Sequence, residues 1–178
     1  NITTGGVGKT PLTMEIANYF LSLNKKVAII SRGYGASRSN NRPLLVSDGS
    51  GAKYSASEAG DEPVWLAENC KGAFVITCKS RIKAEKFMRD TLEPEVIILD
   101  DGFQHRKMKR DLDIVLVDAK NKFGNGCLLP AGPLREDLSS IERADKVIVV
   151  NKGANLKNAL KYCDYLKNKF KKDTYLCK

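Results

Sequence analysis

"NITTGGVGKTPL", residues 1–12, decides the fold. Gly5, Gly6 and Gly8 carry no side-chain bulk, so the backbone N–H groups around them can turn inward and close on an anion. Lys9 and Thr10 follow at once. Pro11 suits the first turn of a helix whose N-terminus adds the positive end of its dipole. A loop of this kind holds the phosphates of a nucleotide. It ordinarily follows a buried parallel strand, yet only Asn1 to Thr4 precede it, so the sequence predicts a first strand that is mostly missing.

Working outward, Leu12, Ile16, Phe20 and Leu23 recur at helical spacing and predict a helix over 10–24 with one buried face. "KVAIIS" at 26–31 is a short continuous apolar run, the pattern of a strand buried on both faces of a parallel sheet. Similar runs follow at 73–77, 95–100, 113–118 and 145–150, with helical stretches at 61–70, 79–92 and 135–144. The alternation predicts an α/β fold: a doubly wound, mostly parallel sheet of the P-loop NTPase type. The joins at 32–43 and 119–133 are rich in Gly, Asn, Ser or Pro and are expected to be loops at the functional edge. Residues 1–150 are read as one nucleotide-binding P-loop domain. Residues 151–178, a basic helix followed by a strand, are read as the start of a C-terminal domain that the chain does not complete.

The composition agrees with a globular domain, since 42% of the 178 residues are hydrophobic. The formal charge of +9 suits an anionic partner, and residues 151–178 supply +6 of it through eight lysines against two aspartates. Five cysteines at scattered spacings form no Cys-x-x-Cys pair, which argues against a zinc site or a disulfide scaffold and for a reducing compartment. No apolar run reaches the ~18–20 residues of a spanning helix, and no signal peptide is visible.

The usual phosphate-loop pattern is G-x-x-x-x-G-K-[ST]; Gly8, Lys9 and Thr10 fit it, and Thr3 stands at the position of its first glycine. Lys9 is expected to reach the β- and γ-phosphates, and the Thr10 hydroxyl to ligate Mg²⁺. That magnesium needs a strand-end carboxylate, and "VIILDDG" offers Asp100 and Asp101, although such an aspartate also suits a turn into Gly102. His105 is the only histidine, so it cannot belong to a histidine metal cluster; it either works in the site or bonds its own loop. Two other P-loop classes fit less well. Partitioning ATPases have a signature lysine where this chain has Thr4. GTPases read guanine with Asn-Lys-x-Asp, whereas "VIVVNK" at 147–152 leads to Ala154 at the aspartate position.

Together with "ISRGYG" (30–35), "EAGDEP" (58–63), "LDDGFQHRKMKRDLDIVLVD" (99–118) and "LLPAGPLRE" (128–136), the opening loop resembles the tetraacyldisaccharide 4'-kinase family of lipid A biosynthesis over residues 1 to about 150. The resemblance implies ATP- and Mg²⁺-dependent transfer of a phosphoryl group to the 4'-hydroxyl of an acylated glucosamine disaccharide 1-phosphate. It places the enzyme peripherally on the cytoplasmic face of the bacterial inner membrane, with the lipid and that membrane surface as partners and no nucleic acid. On matching positions it implies that Thr3, Thr4, Gly5, Gly6, Val7, Gly8, Lys9 and Thr10 bind ATP, with Gln104, Arg135 and Glu136 lining the nucleotide site. Asp100 and Asp101 would serve magnesium and catalysis, His105 would support the same centre, and Arg32 and Tyr34 would face the disaccharide. As bare sequence, Arg135-Glu136 also reads as an exposed helix start. The resemblance further implies an aspartate base ahead of a basic residue near a helix start, where this chain has Ser80 before Arg81. A serine hydroxyl takes no proton at neutral pH without its own activator, so a slow or non-catalytic, nucleotide-binding relative is the alternative reading.

Overall fold

A computed structural model describes residues 1–38 and 41–177; Ser39 and Asn40 of the join at 32–43, and Lys178 of the basic segment, lie outside the described residues. The chain forms two compact units, one of Thr10–Met108 and one of Asn1–Lys9 with the chain from Lys109 onward.

In Thr10–Met108 the elements run α1 (Lys9–Ser22, entered from the other unit at Lys9), β1 (Val27–Ser31), β2 (Leu44–Asp48), α2 (Ala56–Ala59), α3 (Asp61–Asn69), β3 (Phe74–Thr77), α4 (Arg81–Thr91) and β4 (Val96–Leu99). The strands lie in the order β2-β3-β1-β4, with β1 parallel to both neighbours and β2 antiparallel at one edge. All five residues of β1 are buried. Because successive side chains point to opposite faces, Val27 and Ile29 pack with Val75, Ala17 of α1, and Leu66 and Ala67 of α3. Ala28 and Ile30 pack instead with Ile76, and with Ala84 and Met88 of α4. Helices therefore cover both faces, and the doubly wound expectation holds.

Three details differ from the sequence reading. The buried face of α1 is centred on Thr13 and Ala17, with Met14, Phe20 and Leu21 beside it, while Leu23 lies past the helix end and is exposed. Small side chains at the closest approach let the helix sit near the sheet, and the larger ones fill its flanks. β2 was not predicted, because its apolar signal is only Leu44-Leu45-Val46 after a proline, and a register shift between Leu45 and Ser47 breaks the alternation. The short α2 was also missed, although Ser55 and Glu58 form a capping box at its start.

The other unit carries β5 (Ile114–Asp118), a 3₁₀-helix (Leu138–Arg143), β6 (Lys146–Val150), α5 (Leu156–Phe170) and β7 (Asp173–Cys177), with β5-β6-β7 a fully parallel sheet. The helix expected over 135–144 is this shorter 3₁₀ segment, begun by Asp137, whose carboxylate accepts the Ser139 N–H at 2.9 Å. Asn155 caps α5 by accepting the N–H groups of Lys157 and Asn158. The helix buries Ala159, Tyr162, Cys163 and Leu166, and it packs on β6 and β7. The helix and strand expected beyond 150 are thus present, but they complete the sheet begun by β5, and the two units do not divide at residue 150. Among the described residues no helix is long and apolar enough to cross a membrane.

Candidate functional site

The glycine loop is reached through residues 2–4, which form no regular strand. Thr3 makes an isolated antiparallel bridge with Leu134, the Thr4 N–H donates to the Pro133 carbonyl at 2.8 Å, and the Arg135 N–H donates to the Ile2 carbonyl at 2.7 Å. "LLPAGPLRE" thus supplies a backbone mate for the entry to the loop. Gly5 and Gly8 hold φ of 100° and 103°, where an L side chain is strained whatever the space around it. The Val7 N–H turns back to the Gly5 carbonyl at 3.1 Å. Lys9 opens α1, and its ammonium donates to the Gly5 carbonyl at 3.4 Å; Thr10 follows within the first turn. The Arg135 side chain is exposed, and the half-buried Glu136 pairs with Arg143 at 2.6 Å just ahead of the 3₁₀-helix.

In the other unit, Asp100 stands at the end of β4, 2% exposed, its N–H bonded to the Ile30 carbonyl at 3.0 Å. Thr13 donates its hydroxyl to Asp100 Oδ1 at 3.3 Å, and Arg81 donates from Nη2 to the Asp100 carbonyl at 2.7 Å. Burial pushes the Asp100 carboxyl up to about 6, aided by the negative charges of Glu62 and Asp101 and opposed by Arg81 and Thr13. Arg81 is itself 3% exposed; burial lowers it to about 10 against the attraction of Asp100 and Asp101, and Arg32 repels it further. Asp101 sits at φ 52°, and a Cβ on Gly102 would stand 2.5 Å from Leu99 Cβ, so "LDDG" is a tight turn as well as a pair of carboxylates.

Two of the quoted motifs interlock through glycine. A Cβ on Gly60 of "EAGDEP" would stand 3.1 Å from Gly33 Cα, and one on Gly33 of "ISRGYG" would stand 3.0 Å from the Ala59 carbonyl oxygen. Arg32 and Tyr34 flank this contact, both exposed, Tyr34 by 87%. Glu62, at the head of α3, was missed by the sequence reading as a group that acts on Asp100. No local signal marks it, since Glu62 and Asp100 stand 38 positions apart in the sequence.

Ser80, Gln104 and His105 come together in a pocket of about 370 Å³, lined also by Lys79, Arg81, Arg106 and Lys107. No carboxylate is among its lining residues, so it suits an anion. Ser80 is the N-cap of α4, its hydroxyl accepting the Lys83 N–H at 3.4 Å. The His105 N–H bonds the Gly102 carbonyl at 2.9 Å, which fastens the loop after the turn.

Among the described residues no group of three or more His, Cys, Asp and Glu is arranged to hold a metal ion by itself. Magnesium at a nucleotide takes one or two carboxylates and completes its shell with phosphate and water. The like charge that Glu62 and Asp101 press on Asp100 is the kind of excess a divalent ion relieves.

The family model described as LpxK, tetraacyldisaccharide-1-P 4'-kinase, matches residues 1–175. Tetraacyldisaccharide 4'-kinase of Chlorobium phaeovibrioides is 49% identical over 152 residues, covering 84% of this chain and 42% of the relative. The protein of the same name from Anaeromyxobacter dehalogenans is 46% identical over 147 residues, covering 83% and 38%. A crystal structure described as the "apo" form of LpxK from Aquifex aeolicus in complex with ATP superposes with a TM-score of 0.74 at 43% identity, covering 84% of this chain and 45% of that one. The chain spans about two fifths of the length of these curated relatives. With the glycine loop, the "LDDG" turn and the interlocked glycine motifs in place, the chain belongs to the tetraacyldisaccharide 4'-kinase family.

Proposed function

We propose that the protein carrying this chain transfers the γ-phosphoryl group of ATP to the 4'-hydroxyl of a tetraacylated glucosamine disaccharide 1-phosphate, at the cytoplasmic face of a bacterial inner membrane. The observation that carries this reading is the loop Gly5–Lys9, with two left-handed glycines and a lysine at the head of a helix, in a chain of this family. The basic segment 151–178 suits the anionic lipid surface, and no nucleic acid enters the reading.

In this reading Thr3 and Thr4 shape the entry to the loop, and the backbone of Gly5, Gly6, Val7 and Gly8 with the Lys9 ammonium holds the β- and γ-phosphates. Thr10, Asp100 and Asp101 would hold magnesium, which when bound offsets phosphate charge. Arg135 and Glu136 line the nucleotide, Gln104 and His105 support the reacting centre, and Arg32 and Tyr34 meet the disaccharide. The basic pocket beside Ser80 takes a phosphate of the acceptor. As the 4'-oxygen bonds to the γ-phosphorus, the bond to the bridging oxygen of ADP breaks and the hydroxyl proton leaves. That proton passes to solvent water, because Asp100 and Asp101 are engaged with the metal in this reading.

The test is transfer of label from γ-labelled ATP to the disaccharide 1-phosphate in detergent micelles by the full-length protein, with the product's new phosphate located by ³¹P–¹H correlation. Phosphate at the 4' position is expected; ATP hydrolysis without a phosphorylated lipid overturns the reading. Ser80 enters as a helix cap. Ser80→Ala is expected to cost about 1 kcal/mol of stability and a few degrees in Tm. An unchanged melt would mean that the bond to Lys83 contributes nothing.

A further inference from the structure

The Asn151-Lys152 pair, directly after β6, belongs to the stretch that resembles a guanine-reading motif only in part. In the structure it lies against the glycine loop. The Lys152 ammonium donates to the Gly6 carbonyl, 146 residues away in sequence. A Cβ built on Gly8 would stand 3.9 Å from Lys152 Cε and 3.8 Å from Val150 Cγ1, so the lysine stem passes beside the second left-handed glycine. The base of this arm is fixed on both sides: the Asn151 N–H donates to the Cys177 carbonyl at 2.7 Å, and Asn151 Oδ1 accepts the Ala154 N–H at 2.8 Å.

A loop with three glycines is the costliest kind of backbone to order, at about 1–2 kcal/mol per residue. Fixing one carbonyl fixes its whole peptide plane, because the unit is rigid. Lys152 therefore sets the plane between Gly6 and Val7 and limits the space open to Gly8, while Lys9 bonds the neighbouring Gly5 carbonyl. An ordinary surface lysine bonds water or a nearby carboxylate; this one reaches from a fastened turn to a backbone oxygen of the loop that would bind phosphate.

We propose that Lys152 is a positioning residue for the nucleotide, holding the glycine loop in the form that receives the phosphates of a nucleoside triphosphate and so lowering the ordering cost of binding. This rests on the reading of Gly5–Thr10 as the phosphate loop. Its ligand chemistry is the triphosphate, irrespective of the base.

The experiment compares the full-length parent with Lys152→Met, which keeps the stem and removes the ammonium, Lys152→Arg, which restores a cationic donor, and Lys9→Ala. Affinity for Mg·ATP and for inorganic tripolyphosphate is measured by calorimetric titration, with KM, kcat and Tm alongside. Lys152→Met is expected to weaken both ligands alike by about tenfold. KM for ATP should rise with it, while kcat at saturating ATP and Tm stay close to those of the parent and Lys152→Arg recovers most of the loss. Unchanged affinity in Lys152→Met, with Lys9→Ala still unable to bind, overturns the role of Lys152 and leaves the loop assignment standing. Equal losses in the Met and Arg variants with a lowered Tm also overturn it, marking a structural strut. Weaker ATP binding with intact tripolyphosphate binding overturns it as well, since the contact would then serve the nucleoside. Intact affinity in Lys9→Ala instead removes the phosphate-loop reading on which the proposal stands.

Discussion

Lys9→Ala is expected to lower affinity for Mg·ATP by on the order of 10²–10³-fold and to remove phosphoryl transfer at ordinary ATP concentrations. Lys9 opens α1, directly after the glycine loop, and its ammonium bonds a loop carbonyl. Its charge and the helix dipole act on the same anion, so losing the lysine removes the larger of two attractive contributions. The fold should be untouched, because the bond of the Lys9 ammonium to the Gly5 carbonyl is exposed and long, at 3.4 Å. Titration of the variant with ATP, set beside a thermal melt that matches the parent's, checks both halves of this expectation.

Asp100→Asn is expected to act in opposite directions on activity and on stability. The loss of a proposed magnesium ligand should reduce the transfer rate by on the order of 10²-fold or more and flatten its dependence on magnesium. The same change should make the protein more stable at neutral pH. Asp100 is 2% exposed and its carboxyl is pushed up from 3.8 to about 6. Below pH 3.8 the group is protonated in both the folded and the unfolded chain, and it has no effect. Between about 4 and 6 the unfolded chain ionises while the folded one holds its proton, so the folded state loses stability as pH rises. The loss is complete above pH 6 and is on the order of 2–3 kcal/mol. Asparagine keeps the shape and carries no charge, so thermal melts of parent and variant should coincide near pH 4 and separate above pH 6, with the variant higher. Coincident melts at pH 7.5 would mean that the buried carboxylate is well compensated in the fold.

The sheet was legible where the chain is buried on both faces. "VAIIS" packs one set of alternate residues under α1 and α3 and the other under α4, so nothing but apolar side chains fits it. β2 was not legible: it is an edge strand paired on one side only, and its bulge breaks the two-residue period that would have marked it. α1 was legible as a helix, but its buried face was misplaced, since Thr13 and Ala17 carry no strong apolar signal and are buried because they are small. Of the candidate site, Gly5, Gly8, Lys9, Asp100 and Asp101 could be read from local chemistry alone, because a glycine loop and strand-end carboxylates each depend on adjacent residues. Glu62 and Lys152 could not. One acts on Asp100 across 38 positions of sequence and the other bonds a loop 146 residues away, and neither separation has a periodicity. Ser80 illustrates the reverse case: its place before Arg81 drew attention as a missing base, and its hydroxyl is occupied as a helix cap while the neighbouring arginine carries the contact to Asp100.

The central claim is that the backbone of Gly5–Thr10 receives the phosphates of ATP. Residue-assigned amide NMR of the protein during titration with Mg·ATP tests it most directly. The amides of Gly6, Gly8, Lys9 and Thr10 should shift most and saturate together, and Lys9→Ala should abolish the shifts while leaving the rest of the spectrum in place. Shifts confined to the basic pocket around Lys79 and Arg106, with the glycine-loop amides unmoved, would contradict the account.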